Sequence, residues 1–143
     1  MKIFLDANIL VSVLNKEYPL YIYSSRILSL VDDSRYQVYT SPTCLAIAFY
    51  FAEKKSGTAI AKNKIKLLAE KLKITPANKD TVLQTLKNSA IHDFEDGLEY
   101  YSALNQKCRY FITEDIEDYY FSKIEVSDSQ SFVERVVLKK LKV

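Results

Sequence analysis

A chain of 143 residues with 48% hydrophobic and 27% charged side chains can bury a sizeable core and has the balance of an ordinary soluble protein. Its net charge of +2 argues against a binder that grips nucleic acid by charge alone, while leaving room for a local basic patch. The longest apolar run, Leu45 to Ala52, is far too short to cross a bilayer, and Asp6 breaks the N-terminal apolar stretch before it reaches the length of a secretory signal.

In chain order, KIFLD is apolar between polar neighbours and predicts a short buried strand. Asn8 stands where it can cap the following helix, NILVSVLN. EYPLYIYSSRILSLVDD predicts a second helix with Pro19 tolerable near its start, and YQVYT, alternating and rich in β-formers, a second strand. SPTCLAIAFYFAEKKSG predicts a helix opened near Pro42 and ended by Gly57; its run LAIAFYFA is apolar all round, which predicts burial on every side. TAIAKNKIKLLAEKLK reads as an amphipathic, lysine-rich helix, followed by a short strand around Ile74. NKDTVLQTLKN reads as a capped helix, and HDFEDGLEYYSALNQ as a helix with acids in its first turn. RYFIT predicts a strand, DIEDYY a short helix or turn, KIEV a strand and SDSQSFVERVV a last helix, with the tail LKKLKV frayed or docked. Strands alternating with helices predict an α/β fold on a mostly parallel sheet. Without a linker, repeat or low-complexity segment, residues 1–143 read as one domain. Cys44 and Cys108, far apart and without CxxC spacing, read as free thiols of a reducing compartment, hence a cytoplasmic protein with no membrane partner.

The acids fall at telling places. Asp6 closes the first strand, Asp93 and Asp96 open a helix, and Asp115 and Asp118 follow RYFIT. Chemistry in open parallel sheets sits at the carboxyl ends of strands, so Asp6 and Asp115 can converge. Asp93 and Asp96, three apart, share a helix face and can point into the same cleft. Carboxylates gathered in this way push one another toward protonation. A hard divalent cation, Mg²⁺ or Mn²⁺, relieves that repulsion with oxygen ligands. His92 is the single histidine and glycines number two, which speaks against zinc, a histidine base and a phosphate-cradling glycine loop.

Each of these residues also has a plainer reading. Asp6 and Asp115 can cap turns or helices, and Asp93 suits the helix dipole. Asp118 reads as a solvated or structural acid, and Glu95, Glu99, Glu114 and Glu117 as exposed-face charges. Thr113 can bond locally, and His92 reads as a surface or capping residue. Lys54, Lys55, Lys62, Lys64, Lys66, Lys71 and Lys73 form either a phosphate-tracking surface or a solvated helix face. Most of the 11 tyrosines read as half-buried packing, Tyr18, Tyr21 and Tyr23 as a surface, and Tyr100 and Tyr101 as borders of the cleft that could stack on bases.

The stretches FLDANIL, DFEDGLEYYSALNQKCRYFITEDIEDY and KIEVSDSQSF, in this order and at these distances, resemble a PIN-domain protein from the first strand nearly to the last helix. PIN domains are α/β nucleases, widespread as toxins of bacterial toxin–antitoxin systems and in RNA processing. The resemblance implies a three-layer α/β/α sandwich on a mostly parallel, roughly five-stranded sheet. It matches Asp6 to the first metal-binding acid, Asn8 to the polar residue beside it, and Asp96 to the central helix acid with Asp93 accompanying it. Thr113 and Asp115 match the polar and acidic residues after the fourth strand, and Asp118 an additional acid of that segment. One departure stands out. Ile47 occupies the place early in the helix after the second strand where the family usually has an acid, and Glu53 lies nearly two turns further on. The site is therefore expected to be one ligand short.

The activity so implied is a Mg²⁺- or Mn²⁺-dependent endoribonuclease. Asp6, Asp96 and Asp115 would hold the metal, Asp93 would act as an outer ligand or orient the water, and Asn8 and Thr113 would fix the carboxylates. A catalytically lapsed PIN module that binds RNA or protein is the alternative that Ile47 suggests. A second alternative makes Asp6 the nucleophile of an aspartate-based phosphatase, although Asn8 stands where such enzymes usually carry another aspartate. By the same resemblance the partners are RNA, an antitoxin that blocks the cleft, and a second copy of the chain. The helix around Phe49 and Phe51 serves either that interface or the core.

Overall fold

The computed structural model describes residues 1–139, so the tail from residue 140 on lies outside the described residues. Five short strands, β1 (Lys2–Leu5), β2 (Gln37–Thr40), β3 (Lys73–Ile74), β4 (Tyr110–Ile112) and β5 (Glu125–Ser127), form one sheet in the order β3-β2-β1-β4-β5. Every pairing is parallel, where the sequence predicted a mostly parallel sheet. Among the described residues seven α-helices flank it in a three-layer α/β/α arrangement: α1 (Ala7–Leu14), α2 (Tyr21–Leu28), α3 (Pro42–Ser56), α4 (Thr58–Lys71), α5 (Lys79–Lys87), α6 (Phe94–Asn105) and α7 (Ser129–Phe132). The strand order reverses between β1 and β4. A crevice therefore opens beyond their carboxyl ends, where neighbouring connections depart in opposite directions.

The central strands are buried on both faces and read as continuous apolar runs for that reason. Ile3, Phe4, Leu5, Phe111 and Ile112 are fully buried. Phe4 and Phe111 sit opposite each other in register and stack with ring centroids 5.1 Å apart. This pair fixes β1 against β4 directly beneath the crevice.

Several local expectations are corrected. Asp6, not Asn8, is the N-cap of α1: its backbone is extended and its side chain accepts from the Ala7 N–H. The second helix is shorter than predicted and tightens into a 3₁₀ turn over Ser29–Asp32. Helix α3 is not buried all round. It lies between α1 and α4, which cover Cys44, Leu45, Ala48 and Ala52 and leave Tyr50 and Phe51 50% and 44% exposed. The last strand starts two residues later than KIEV suggests, at Glu125, and the last helix loosens into a π-helical turn over Val133–Val137. Two of the lysines proposed to track phosphate are otherwise engaged. Lys55 and Lys64 donate to the carbonyls of Asn15 and Leu14, where the end of α1 leaves acceptors free.

Helix α6, which carries Asp96, is seated on α5 through Gly97. A Cβ at that position would lie 2.3 Å from the Thr85 γ-methyl and 3.0 Å from that of Ile91. Thr85 is buried, and its hydroxyl is bonded to the Thr81 carbonyl at 2.9 Å, so it yields poorly. Gly97→Ala is expected to cost about 1–3 kcal/mol from overpacking, outweighing alanine's helix propensity. Urea unfolding of the variant measures it.

Candidate functional site

Asp6 ends β1, and the surrounding chain explains why a carboxylate can lie there with only 7% of its surface exposed. Its N–H bonds to the Ile112 carbonyl at 3.0 Å and extends the ladder to β4. Its Oδ1 accepts from the Ala7 N–H at 2.7 Å and its Oδ2 from the Thr113 hydroxyl at 2.8 Å. That hydroxyl in turn accepts from the Asp115 N–H at 3.0 Å and the Asn8 amide at 3.1 Å, so its single donor and both lone pairs are used. Asn8 also donates to Asp115 Oδ2 at 3.1 Å and accepts from the Glu114 N–H at 3.2 Å. One lattice of hydrogen bonds thus ties the end of β1 to the end of β4 and orients Asp6 and Asp115.

The opposite wall comes from α6. Asp93 caps this helix by accepting from the Asp96 N–H at 3.0 Å. Asp96 and Glu99 follow on one face, three residues apart. The Tyr119 hydroxyl stands among the carboxylates, 3.4 Å from Asp6 Oδ2, 3.3 Å from Asp96 Oδ1 and 3.2 Å from Glu99 Oε2. A phenol has one proton to donate, so it satisfies only part of this demand. Burial, together with the charges of Asp6, Glu99 and Asp96, pushes the phenol far above its ordinary range, and it keeps that proton.

The acids respond in the same sense. Burial, then the charges of Asp93 and Asp6, raise Asp96 to about 6. Burial, then hydrogen bonding to Asp6, hold Glu99 far above the carboxylate range, so in the absence of a cation it is protonated at neutral pH. The Cys44 Sγ lies 4.0 Å from Asp6 Oδ1. Burial and the charges of Glu99 and Asp6 keep it a neutral thiol.

A cleft of about 410 Å³ opens over this assembly, lined by Asp6, Asn8, Asp96, Glu99 and Asp115 with Ile47, Val11 and Phe51 as an apolar wall and Glu17 and Glu95 at its margin. Sequence comparison supplies the context. A sequence model of the PIN domain matches residues 2–117. The chain belongs to the PIN-domain family. Comparison with curated protein sequences yields no match.

Solved structures share the PIN fold over 76% to 91% of the chain. The VapBC-1 structure from nontypeable Haemophilus influenzae superposes with a TM-score of 0.70 at 19% identity, covering 91% of this chain and 99% of that one. VapBC2 from Rickettsia felis, bound to a DNA fragment from its promoter, superposes with a TM-score of 0.69 at 17% identity, covering 90% and 98%. VapC20 of Mycobacterium tuberculosis, a sarcin-ricin loop cleaving toxin, superposes with a TM-score of 0.61 at 14% identity, covering 76% and 86%.

Within this PIN domain, Asp6, Asn8, Asp96 and Asp115 line the one cleft, and the fully buried Thr113 stands behind them. Asp93 and Asp118 do not reach it. They line a smaller depression beside it with Asp96, His92, Glu117 and Tyr120. Tyr100 does not border the cleft, because it is buried in the core and its hydroxyl accepts from the Lys123 N–H. Tyr101 is turned to the Asn88 amide. Glu99 is not an exposed-face charge but 2% exposed, and Glu114 is committed to the Ser129 N–H at 2.8 Å. Sequence reasoning missed Glu99, Tyr119 and Cys44. The available signal was the i, i+3 spacing from Asp96 to Glu99, which puts both on one face of the helix.

Proposed function

We propose that this PIN domain hydrolyses phosphodiester bonds in single-stranded RNA with a hard divalent cation, Mg²⁺ or Mn²⁺. The observation that carries this reading is the crowding of Asp6, Asp96 and Glu99 oxygens within 3.4 Å of one hydroxyl. The Tyr119 proton alone cannot offset charge of that density; the cluster needs either added protons, as on Glu99, or a cation. The donors suit the ion: carboxylate oxygens dominate, with no histidine lining the cleft, as hard cations prefer. Asp6, Asp96 and Asp115 would hold it.

A bound cation supplies an activated water and neutralises charge on the scissile phosphate. The chain's own groups do the remainder. Asn8 and Thr113 fix Asp6 and Asp115 in orientation, as partners of metal-binding carboxylates do. Ile47, Val11 and Phe51 give the cleft an apolar wall that limits water. Asn8 stands two positions after Asp6, where a phosphoryl-aspartate enzyme usually carries a second aspartate, and its amide is spent on Thr113, Asp115 and Glu114. An acidic cleft margin with the half-exposed Phe51 suits a cationic, apolar segment of an antitoxin, the partner type present in the VapBC structures, and α3 suits contact with a second copy. No helix among the described residues is long and apolar enough to cross a membrane.

Incubating the protein with single-stranded RNA is expected to yield cleavage with Mn²⁺ or Mg²⁺ and none in EDTA. Equal cleavage in EDTA overturns the metal mechanism. RNA retention without cleavage in Mn²⁺ selects the lapsed, binding-only module that Ile47 in the cleft wall favours.

A further inference from the structure

We propose that Glu99 is a direct ligand of the cation, replacing the acid that Ile47 lacks and moving one corner of the site from α3 to α6. The inference rests on the cation-dependent reading above and adds a residue that the resemblance to the family did not assign. Three observations carry it. Ile47 does line the cleft, so the expected position for an acid faces the site and offers only a hydrocarbon. Glu99 lines the same cleft from the other side while being 2% exposed. Its Oε1 meets no hydrogen-bond partner among the described residues.

The Glu99 carboxylate is not placed at random. Single ligand atoms of Glu99, Asp6 and Cys44 lie within 4.8 Å of one another. Glu99 and Asp6 therefore present acceptors to each other with only the single Tyr119 proton shared between them. Something positive must sit there, a proton or a cation, because an isolated buried carboxylate pair is prohibitively costly. Asp6 already has the Ala7 N–H and the Thr113 hydroxyl, whereas Glu99 has only a share of the Tyr119 proton at 3.2 Å. Glu99 is thus the less satisfied partner and gains most from an ion. The Tyr119 ring packs on Phe111 with centroids 4.3 Å apart, which holds the hydroxyl beside Glu99 Oε2 and leaves the buried Oε1 without a partner.

Glu99→Gln separates this role from a structural one. A glutamine can donate to Asp6 and so replaces a bridging proton, but it is a poor ligand for Mn²⁺. Mn²⁺ titrated into the full-length chain, with free ion read by electron paramagnetic resonance, is expected to bind wild type and to bind Glu99→Gln about tenfold or more weakly. Loss of an outer-shell partner alone typically costs that much. The variant should melt, without cation, no lower than wild type, and Ile47→Glu added to it should restore binding. Equal affinity of wild type and Glu99→Gln overturns the assignment and leaves the cation-dependent reading standing. Absence of Mn²⁺ binding by wild type overturns both. If Glu99→Gln does not fold, Glu99→Asp, whose carboxylate is withdrawn by one methylene, takes its place: weakened binding supports the assignment and unchanged binding overturns it.

Discussion

Asp96→Asn is expected to reduce Mn²⁺-dependent RNA cleavage by about 10³-fold or more, since a catalytic cation contributes several kcal/mol to the transition state. The same change should leave the cation-free protein at least as stable as wild type. Asparagine keeps an oxygen for the Tyr119 hydroxyl, 3.3 Å away, and removes a charge that Asp93, Asp6 and Asp118 all oppose. Asp6→Asn should lose cleavage equally but fold less stably, by about 1–2 kcal/mol. Both Asp6 oxygens accept, one from the Ala7 N–H and one from the Thr113 hydroxyl, and an amide can accept at only one of those places. Parallel melting and cleavage assays on the two variants separate the functional loss from the structural one. A third of wild-type cleavage surviving in Asp96→Asn would remove Asp96 from the cation site.

The pH dependence has a definite sign. Asp96 is raised from 3.8 to about 6, so the folded state binds its proton more tightly than the unfolded chain. This contribution to stability is complete below pH 3.8 and is lost as pH rises through about 6. Cation-free melting temperature should therefore fall across that window. Cleavage should move the other way, rising as Asp96 ionises.

The α/β alternation was legible because each strand is a short apolar or β-branched run closed by Asp, Ser or Thr, and each helix carries its own cap or breaker. KIFLD, YQVYT and RYFIT name the three central strands to within a residue at either end. What escaped depended on tertiary contact. The run LAIAFYFA cannot reveal that α1 and α4 cover only one side of α3. Glu99 carries no local mark of burial, because what encloses it is Tyr119 and Asp6, distant in sequence. Asp6 rather than Asn8 became the cap because the β1 ladder continues through the Asp6 N–H and leaves its carboxylate beside the first free donor of α1. The acids themselves were readable as a set, since their places after strands follow from topology, but which of them share a cleft is fixed by how α6 is seated on α5.

Thr113→Val is the substitution that should cost most stability for the least change in shape. Valine matches threonine in volume but lacks the hydroxyl, and Thr113 is fully buried. The lost group donates to Asp6 and accepts from the Asp115 N–H and the Asn8 amide. Each buried group left without a partner costs roughly 1–3 kcal/mol. Asn8 retains Asp115 and Glu114 as partners, which limits the total, so about 2–4 kcal/mol is the expected loss in urea unfolding. Cleavage should fall as well, because Asp6 and Asp115 lose their common anchor and must be ordered when substrate binds. Thr113→Ser restores the hydroxyl and should recover most of both quantities, less the small cost of one deleted methyl. If the valine variant instead keeps wild-type stability and cleavage, the hydroxyl is not what joins the end of β1 to the end of β4, and the two acids are held by the backbone alone.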